Sequence, residues 1–150
     1  MDYMKKWNRF ISENKRKKKD KDSDNVVKAI LTKDNKVLTL KGPRNWELPG
    51  GHMHVDEEKM AGLKREVKEE TGLDLDSAKE IAVYDKRTIY VAALPEGDIK
   101  LSSEHTEHKM IGIEDLDDYD LKDIYKKEIR GGLKWNSYLK NGASWQNKRW

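Results

Sequence analysis

The fold of this chain is decided by the stretch from Gly51 to Leu73, which reads GHMHVDEEKMAGLKREVKEETGL. Its apolar side chains recur at three- and four-residue steps, the spacing that places them on one face of an α-helix. These side chains are Met60, Leu63 and Val67. Asp56 is a residue type that caps helices, and Gly72 is one that ends them. We therefore expect a helix from Glu57 to Thr71 with one face buried in a core.

The same stretch carries three glutamates within one helical turn. Glu66, Glu69 and Glu70 stand at positions i, i+3 and i+4, so their carboxylates project from one helix face. Each like-charged pair costs about 0.2–0.5 kcal/mol on an exposed helix unless a cation lies between the charges. Oxygen ligands favour Mg²⁺ or Mn²⁺ over Zn²⁺. The cluster therefore indicates a divalent metal site, and a solvated acidic face is the alternative.

A glycine interrupts the acidic side of this helix. Gly62 lies one turn before Glu66, where glycine costs about 1 kcal/mol relative to alanine. We expect Gly62 to leave clearance for metal ions and for the phosphates that they hold. The alternative is that the glycine is merely tolerated.

The segments around the helix are typical of strands and turns. Residues 26–32 and 37–40 are rich in β-branched and apolar side chains, and the turn signal between them predicts a β-hairpin. The glycines and prolines of residues 42–51 predict a shaped loop. Further strands are expected at residues 81–84, 88–94 and 109–113, and a helix at residues 117–139 that is interrupted at Gly131 and Gly132.

Charge is distributed unevenly along the chain. Residues 1–21 hold nine Lys or Arg and three acidic residues, a local balance of +6, whereas the remainder balances at −3. Apolar residues at helical spacing precede the lysines: Tyr3, Met4, Trp7, Phe10 and Ile11. We expect residues 1–22 to form a basic amphipathic extension ahead of a domain at residues 23–150. The extension either packs against that domain or binds RNA or another polyanion.

Composition excludes several classes of protein. With 150 residues, the chain is the size of one compact domain. It has no cysteine, which excludes disulfides, thiolate metal sites and cysteine nucleophiles. No stretch approaches the run of about 18 apolar residues that a membrane span needs, and the N-terminus lacks the apolar region of a signal peptide. We therefore expect a cytoplasmic protein without a membrane partner.

The spacing of residues in the deciding stretch matches a known motif. After Gly51 come five residues, Glu57, seven residues and then REVKEETGL at residues 65–73. This resembles the Nudix box, G-x5-E-x7-R-E-U-x-E-E-x-G-U with U aliphatic, at every defined position. Residues 46–51, WELPGG, are similar to the usual approach to that box. The resemblance covers roughly residues 25–140 and implies an α+β fold, the Nudix α/β/α sandwich with a central mixed sheet.

The resemblance implies a role for each matched residue. Divalent ions, Mg²⁺ or Mn²⁺, would be bound by three side chains and one backbone carbonyl, those of Glu66, Glu69, Glu70 and Gly50. Glu57 and Arg65 would support the loop and helix that hold these ligands. The implied activity is hydrolysis of a nucleoside diphosphate linked to another group. Two positions depart from the family's usual pattern, His54 and Asp56, and they affect loop shape and substrate fit.

A carboxylate must also accept the proton of the attacking water. Glu66 or Glu69 can do so as well as bind metal, and a glutamate on a later loop often takes part in this family. The candidates on that loop are Glu104 and Glu107. Two histidines, His52 and His54, are an alternative pair of metal ligands or ordinary exposed residues of a loop.

The nature of the substrate depends on residues outside the box. Residues 99–116 are similar to a segment of diadenosine polyphosphate hydrolases, and Tyr90 lies 17 residues after Leu73, where an aromatic ring can stack on adenine. Tyr90 is otherwise an ordinary strand residue. Arg44 is a candidate contact for phosphate. Small nucleotides are therefore the expected substrates, with dinucleoside polyphosphates first and nucleoside triphosphates or ADP-ribose after them.

Two other functions are compatible with the same sequence. An RNA 5′-end pyrophosphohydrolase would use the basic extension to guide its substrate. A binding module for nucleotides or RNA would use the fold without turnover. The intact set of glutamates argues against the binding module.

Overall fold

The computed structural model describes residues 22–140, so nearly all of the expected basic extension lies outside the described residues. Within this range, seven strands, one 3₁₀ helix and two α-helices follow one another. In chain order they are β1 (Asp22–Lys33), β2 (Lys36–Lys41), β3 (Trp46–Glu47), β4 (Gly50–His54), α1 (Lys59–Thr71), β5 (Lys79–Tyr84), β6 (Arg87–Ala93), β7 (Glu107–Ile111), the 3₁₀ helix (Ile113–Asp118) and α2 (Asp123–Lys140). Neither α-helix in this range has the length and apolar content of a membrane span.

The strands form one mixed sheet built around β1. This strand pairs in parallel with β6 and antiparallel with both β2 and β4. The order across the sheet is β3-β2-β1-β6-β5, with β4 also beside β1 and β7 also beside β2. The predicted central mixed sheet is thus confirmed.

Helices cover both faces of the sheet. Side chains alternate along β1, so that Val27, Ala29 and Leu31 face the cluster that includes Leu63 and Val67 of α1. On the opposite face, β1 contributes to a second cluster with α2 and the 3₁₀ helix. Its members from these elements are Ile30, Leu116, Tyr125, Ile129 and Leu133. This layering confirms the predicted α+β fold and α/β/α sandwich.

The turn between β1 and β2 is as short as the sequence predicts. Asp34 and Asn35 both have positive φ, 51° and 61°, the conformation of a two-residue turn whose twist matches that of the strands. Asp and Asn tolerate this conformation better than most residues. The predicted hairpin is confirmed.

Helix α1 begins later than the sequence predicts. Its N-cap is Glu58, whereas Asp56 has a φ of 64° and lies in a preceding turn. The turn forms because the Glu57 carboxylate accepts the backbone N–H of His54 at 2.9 Å. The prediction that Asp56 caps the helix is wrong. The predicted end is confirmed, because Gly72 has a φ of 75° and its N–H donates to Lys68 O.

Helix α2 continues through Gly131 and Gly132, so the predicted interruption is wrong. A Cβ atom on Gly132 would lie 2.5 Å from Cδ1 and 2.8 Å from Cγ2 of Ile30 in β1. Glycine is present here because helix and sheet approach closely, although it lowers helix propensity. The helix also begins at Asp123, since residues 117 and 118 belong to the 3₁₀ helix.

We expect Gly132→Ala to lower the free energy of unfolding by about 1 kcal/mol or more. Overpacking against Ile30 costs roughly 1–3 kcal/mol, which outweighs the gain of up to about 1 kcal/mol in helix propensity. Gly131→Ala is the matched control, because Gly131 is half-buried and borders a cavity of about 310 Å³. It should be neutral or stabilising in urea denaturation. Equal effects of the two substitutions would refute the close approach as the reason for Gly132.

Candidate active site

Gly50 occupies a backbone position that only glycine can take. Its φ is 133°, and a Cβ atom here would lie 2.1 Å from the carbonyl oxygen of Val27 in β1. The preceding residue is held to the same strand, because Ala29 N–H donates to Pro49 O at 2.9 Å. The loop that carries the Gly50 carbonyl is therefore pressed against β1.

A buried lysine reaches the same loop from inside the sheet. Lys28 Nζ donates to Leu48 O at 3.1 Å and to Gly50 O at 3.3 Å. Lys28 is not among the residues predicted from the sequence, although a lysine within the apolar run of residues 26–32 is a signal of a specific role. Lys28 holds the two carbonyls in place and contributes positive charge behind the acidic cluster.

The three glutamates of α1 line one cleft with the Gly50 loop. The cleft has a volume of about 370 Å³, and its lining residues are Gly50, Gly51, His52, His54, Arg65, Glu66, Glu69, Glu70, Ser102 and Glu104. The glutamates differ in exposure: the Glu69 side chain is 57% exposed, whereas that of Glu70 is 5% exposed. The structure thus brings together the four residues predicted to bind metal.

Arg65 connects α1 to the loop that precedes it. Its Nε and Nη2 donate to the two carboxylate oxygens of Glu57 at 2.9 and 3.1 Å, and Nη2 also donates to His52 O. Nη1 donates to Glu66 at 3.1 Å and to Glu69 at 3.2 Å. The hydrogen bonds from Arg65 lower the pKa of Glu57, against an opposing effect of burial. Glu57 is not a lining residue but contacts one, Arg65, and its supporting role stays a prediction.

Among the glutamates that line the cleft, Glu70 has the least favourable environment for a charge. Burial raises its pKa to about 8, although the charge of Lys28 and the hydrogen bond from Gly50 N–H act in the opposite direction. The nearby carboxylate of Glu66 raises the pKa further. A buried carboxylate of this kind is ionised most easily when a cation lies beside it.

The described residues hold a second cluster, which was not predicted from the sequence. Glu47, His105 and Glu70 offer ligand atoms that all lie within 4.8 Å of one another. His105 Nε2 lies 2.5 Å from Glu47 Oε1, and Nδ1 lies 3.7 Å from Glu70 Oε2. We call these three residues the inner cluster. Its members come from β3, α1 and the loop before β7, and no local sequence signal joins them.

Gly62 leaves space for a different group from the one predicted. A Cβ atom on Gly62 would lie 2.9 Å from Glu57 Oε1 and 3.4 Å from Met53 Cγ. The glycine therefore makes room for the supporting carboxylate of Glu57, not for metal ions beside Glu66.

The two candidate glutamates on the later loop lie in different places. Glu104 is exposed and lines the same cleft as the glutamates of α1. Glu107 begins β7 and pairs with Lys41 at 3.4 Å. Glu104 is therefore the one of the two that faces the cleft.

Neither predicted substrate contact lies in the cleft. Tyr90 is 4% exposed and packs in the core cluster under α1, directly opposite Glu80 of β5. Arg44 is exposed in the connection between β2 and β3. In the described conformation, the Tyr90 ring is a core side chain, so stacking on a base would require it to become exposed.

Comparisons with known proteins agree with this architecture. A family model described as NUDIX domain matches residues 22–131. A MutT-like protein of Streptomyces ambofaciens is 35% identical over 92 residues, which covers 56% of this chain and 60% of the relative. The chain thus spans less than two thirds of that relative's length. An ADP-ribose pyrophosphatase of Methanocaldococcus jannaschii is 28% identical over 127 residues, covering 75% of this chain and 74% of the relative.

Solved structures show the same fold. The crystal structure of an ADP-ribose pyrophosphatase from Streptococcus suis matches with a TM-score of 0.67 and 23% identity. The match covers 74% of this chain and 90% of the other. At this level of identity, the similarity establishes the arrangement of strands and helices.

Proposed function

Because the chain belongs to the NUDIX domain family, we propose that it is a divalent-metal-dependent hydrolase that cleaves a pyrophosphate bond in a nucleotide. The main observation in support of this proposal is the set of residues that line the cleft. Glu66, Glu69, Glu70 and the Gly50 loop line one cavity of about 370 Å³, and Arg65, which is bound to Glu57, donates to Glu66 and Glu69. Metal-dependent hydrolysis is the chemistry that this set of oxygen donors supports best.

The residues present fit a divalent cation. All three side chains offer carboxylate oxygens, and Glu70 is buried in a position where its negative charge needs a counter-ion. The Gly50 carbonyl can accept from Lys28 and still offer a second lone pair. A bound divalent ion would neutralise phosphate charge and lower the pKa of an attacking water. We propose Mg²⁺ or Mn²⁺ as the ion.

Glu104 is the best-placed group to accept the proton of the attacking water. Within residues 22–140, its carboxylate has no hydrogen bond or ion pair, whereas Glu66 and Glu69 both contact Arg65. An exposed carboxylate that lines the cleft can reach a water bound there. Glu66 and Glu69 are the alternatives for this step.

The substrate class that we propose is a nucleoside diphosphate linked to another group. ADP-ribose is such a compound, and two of the similar proteins are named for its cleavage. The segment around Ser103 and Glu104 favours diadenosine polyphosphates instead, because it resembles hydrolases of those compounds. Nucleoside triphosphates are the third candidate.

We expect the full-length protein to hydrolyse at least one small nucleotide when Mg²⁺ or Mn²⁺ is added, and to be inactive in excess EDTA. The panel contains ADP-ribose, diadenosine tetraphosphate, the nucleoside triphosphates and 5′-triphosphorylated RNA. Products are separated by ion-exchange chromatography, which identifies the bond that is cleaved. The metal should also raise the melting temperature, since it binds only the folded state.

Each outcome of the panel separates the proposed function from its alternatives. Preference for the RNA over every small nucleotide would indicate a 5′-end pyrophosphohydrolase. Nucleotide binding without turnover would indicate a binding module. Undiminished hydrolysis in EDTA would contradict the metal-dependent mechanism directly.

A further inference from the structure

The inner cluster of Glu47, His105 and Glu70 adjoins the cleft through Glu70. Glu70 lines the cleft, whereas Glu47 and His105 are not among the lining residues. The His105 side chain is only 1% exposed. The cluster therefore extends the site inward, and no step proposed above makes use of His105.

Glu47 determines which ring nitrogen of His105 carries the hydrogen. A carboxylate accepts hydrogen bonds, so Nε2, which lies 2.5 Å from Glu47 Oε1, is the donor. In the neutral ring, Nδ1 then carries a lone pair. This atom is buried and has no hydrogen-bond partner among residues 22–140, which is uncommon for a buried polar atom. Histidines that bind metals adopt this same arrangement, with the far nitrogen donating to a carboxylate.

Glu70 places a second possible ligand atom near the lone pair of His105 Nδ1. Its Oε1 accepts the Gly50 N–H at 3.1 Å, and its Oε2 lies 3.7 Å from His105 Nδ1. That separation is too long for a hydrogen bond. Two atoms bound to one ion at about 2.1 Å each would be this far apart at a bond angle of about 120°. The gap between the atoms therefore suits a shared metal ion.

The backbone around His105 holds the ring in this position. His105 N–H donates to Ser102 O at 3.3 Å, and Thr106 N–H donates to Lys41 O in β2 at 3.0 Å. The backbone that carries the ring is thus held in place, and Glu47 orients the ring itself. A ligand that is already oriented loses little freedom when it binds an ion.

We propose that His105 Nδ1 and Glu70 Oε2 together bind one divalent transition-metal ion at the inner end of the cleft, with Glu47 orienting the imidazole. This inference rests on the proposed function, because Glu70 is shared with the proposed metal site. Imidazole nitrogen is a better ligand for first-row transition metals than for Mg²⁺. The nitrogen ligand therefore strengthens the preference of the inner position for Mn²⁺ over Mg²⁺.

The experiment uses Mn²⁺ as the probe and electron spin echo envelope modulation as the measurement. Mn²⁺ bound to the full-length protein should show coupling to ¹⁴N, and ¹⁵N-labelling of histidine should replace it with a ¹⁵N pattern. His105→Gln retains an amide donor for Glu47 but removes the ring nitrogen beside Glu70. We expect it to abolish the coupling and to weaken Mn²⁺ binding about tenfold or more. His108→Gln, at an exposed histidine of β7, is the matched control and should change neither.

The result for the unmodified protein decides the question even if a variant fails to fold. Mn²⁺ bound through oxygen alone in an active enzyme would overturn this inference and leave the proposed function standing. Coupling that survives in His105→Gln would also overturn it, since the nitrogen would then belong to His52 or His54. If Mn²⁺ did not bind although Mg²⁺ supported hydrolysis, the inference alone would fall; if neither ion bound, the proposed function would fall with it.

Discussion

Replacing Glu70 with glutamine is expected to lower kcat/KM by about a hundredfold or more. The substitution keeps the shape of the side chain and an oxygen for the Gly50 N–H, but it removes a buried ligand charge. Losses of this size are typical when a group that stabilises transition-state charge is removed. Steady-state hydrolysis of the best substrate at saturating Mg²⁺ measures the effect, and Glu96→Gln, at an exposed glutamate after β6, is the control.

The same variant should behave differently in stability measurements without metal. Burial raises the pKa of Glu70 from 4.5 to about 8, so the metal-free fold becomes less stable as pH rises through this interval. Glu70→Gln removes that dependence. Its free energy of unfolding in EDTA should therefore exceed that of the wild type at pH 8 and approach it near pH 4.5.

Glu69→Gln separates the two effects, because the Glu69 side chain is 57% exposed. It should lose activity with little change in metal-free stability. Unchanged turnover in both variants would show that these glutamates are surface acids. A loss of activity that accompanies unfolding in both would contradict the proposed division between ligand charge and stability.

Gly50→Ala is expected to destabilise the fold by about 3 kcal/mol or more and to remove most activity. The new Cβ atom would lie 2.1 Å from the backbone oxygen of Val27 and 2.8 Å from the Cα atom of Lys28, neither of which can rotate away. A φ of 133° adds roughly 1–3 kcal/mol of strain for a residue with a side chain. The loop must move, and the proposed carbonyl ligand moves with it.

Gly97→Ala isolates the contribution of backbone strain. Gly97 has a similar φ of 126°, but its Cβ atom would meet only Leu73 Cδ2, at 3.4 Å. This control should cost about 1–2 kcal/mol without affecting turnover. Urea denaturation and steady-state kinetics of both variants test the prediction. If the two substitutions cost the same, contact with β1 is not the reason for glycine at position 50.

The parts of the molecule that the sequence predicts well are those specified by near neighbours in the chain. The apolar stripe and the three glutamates of α1 follow from helical spacing, and the Asp34-Asn35 turn follows from backbone preference. The start of α1 was predicted wrongly because Glu57 turns back to the His54 N–H and Arg65. A competing hydrogen bond of this kind overrides the capping preference of Asp56.

The features that the sequence does not reveal depend on distant contacts. Gly132 has a low helix propensity. Its place inside α2 is explained only by its close approach to Ile30, which lies in the sheet. His105 and Glu47 are 58 positions apart, so their pairing appears only in the folded chain. Tyr90 has the spacing of a substrate contact, but whether its ring faces a core or a cleft depends on the face of β6 that α1 covers.

The position of β1 has a consequence for the order in which the protein can fold during synthesis. Its hairpin with β2 and its pairing with β4 use residues up to His54, which leave the ribosome early. Its parallel partner β6 starts only at Arg87, and joining parallel strands across such a separation is slow because a long loop must close. The strand that holds the Gly50 loop thus keeps one edge exposed until the second half of the chain arrives. An exposed apolar edge is a site for mispairing with other chains, so chaperone dependence of the nascent chain would originate at β1.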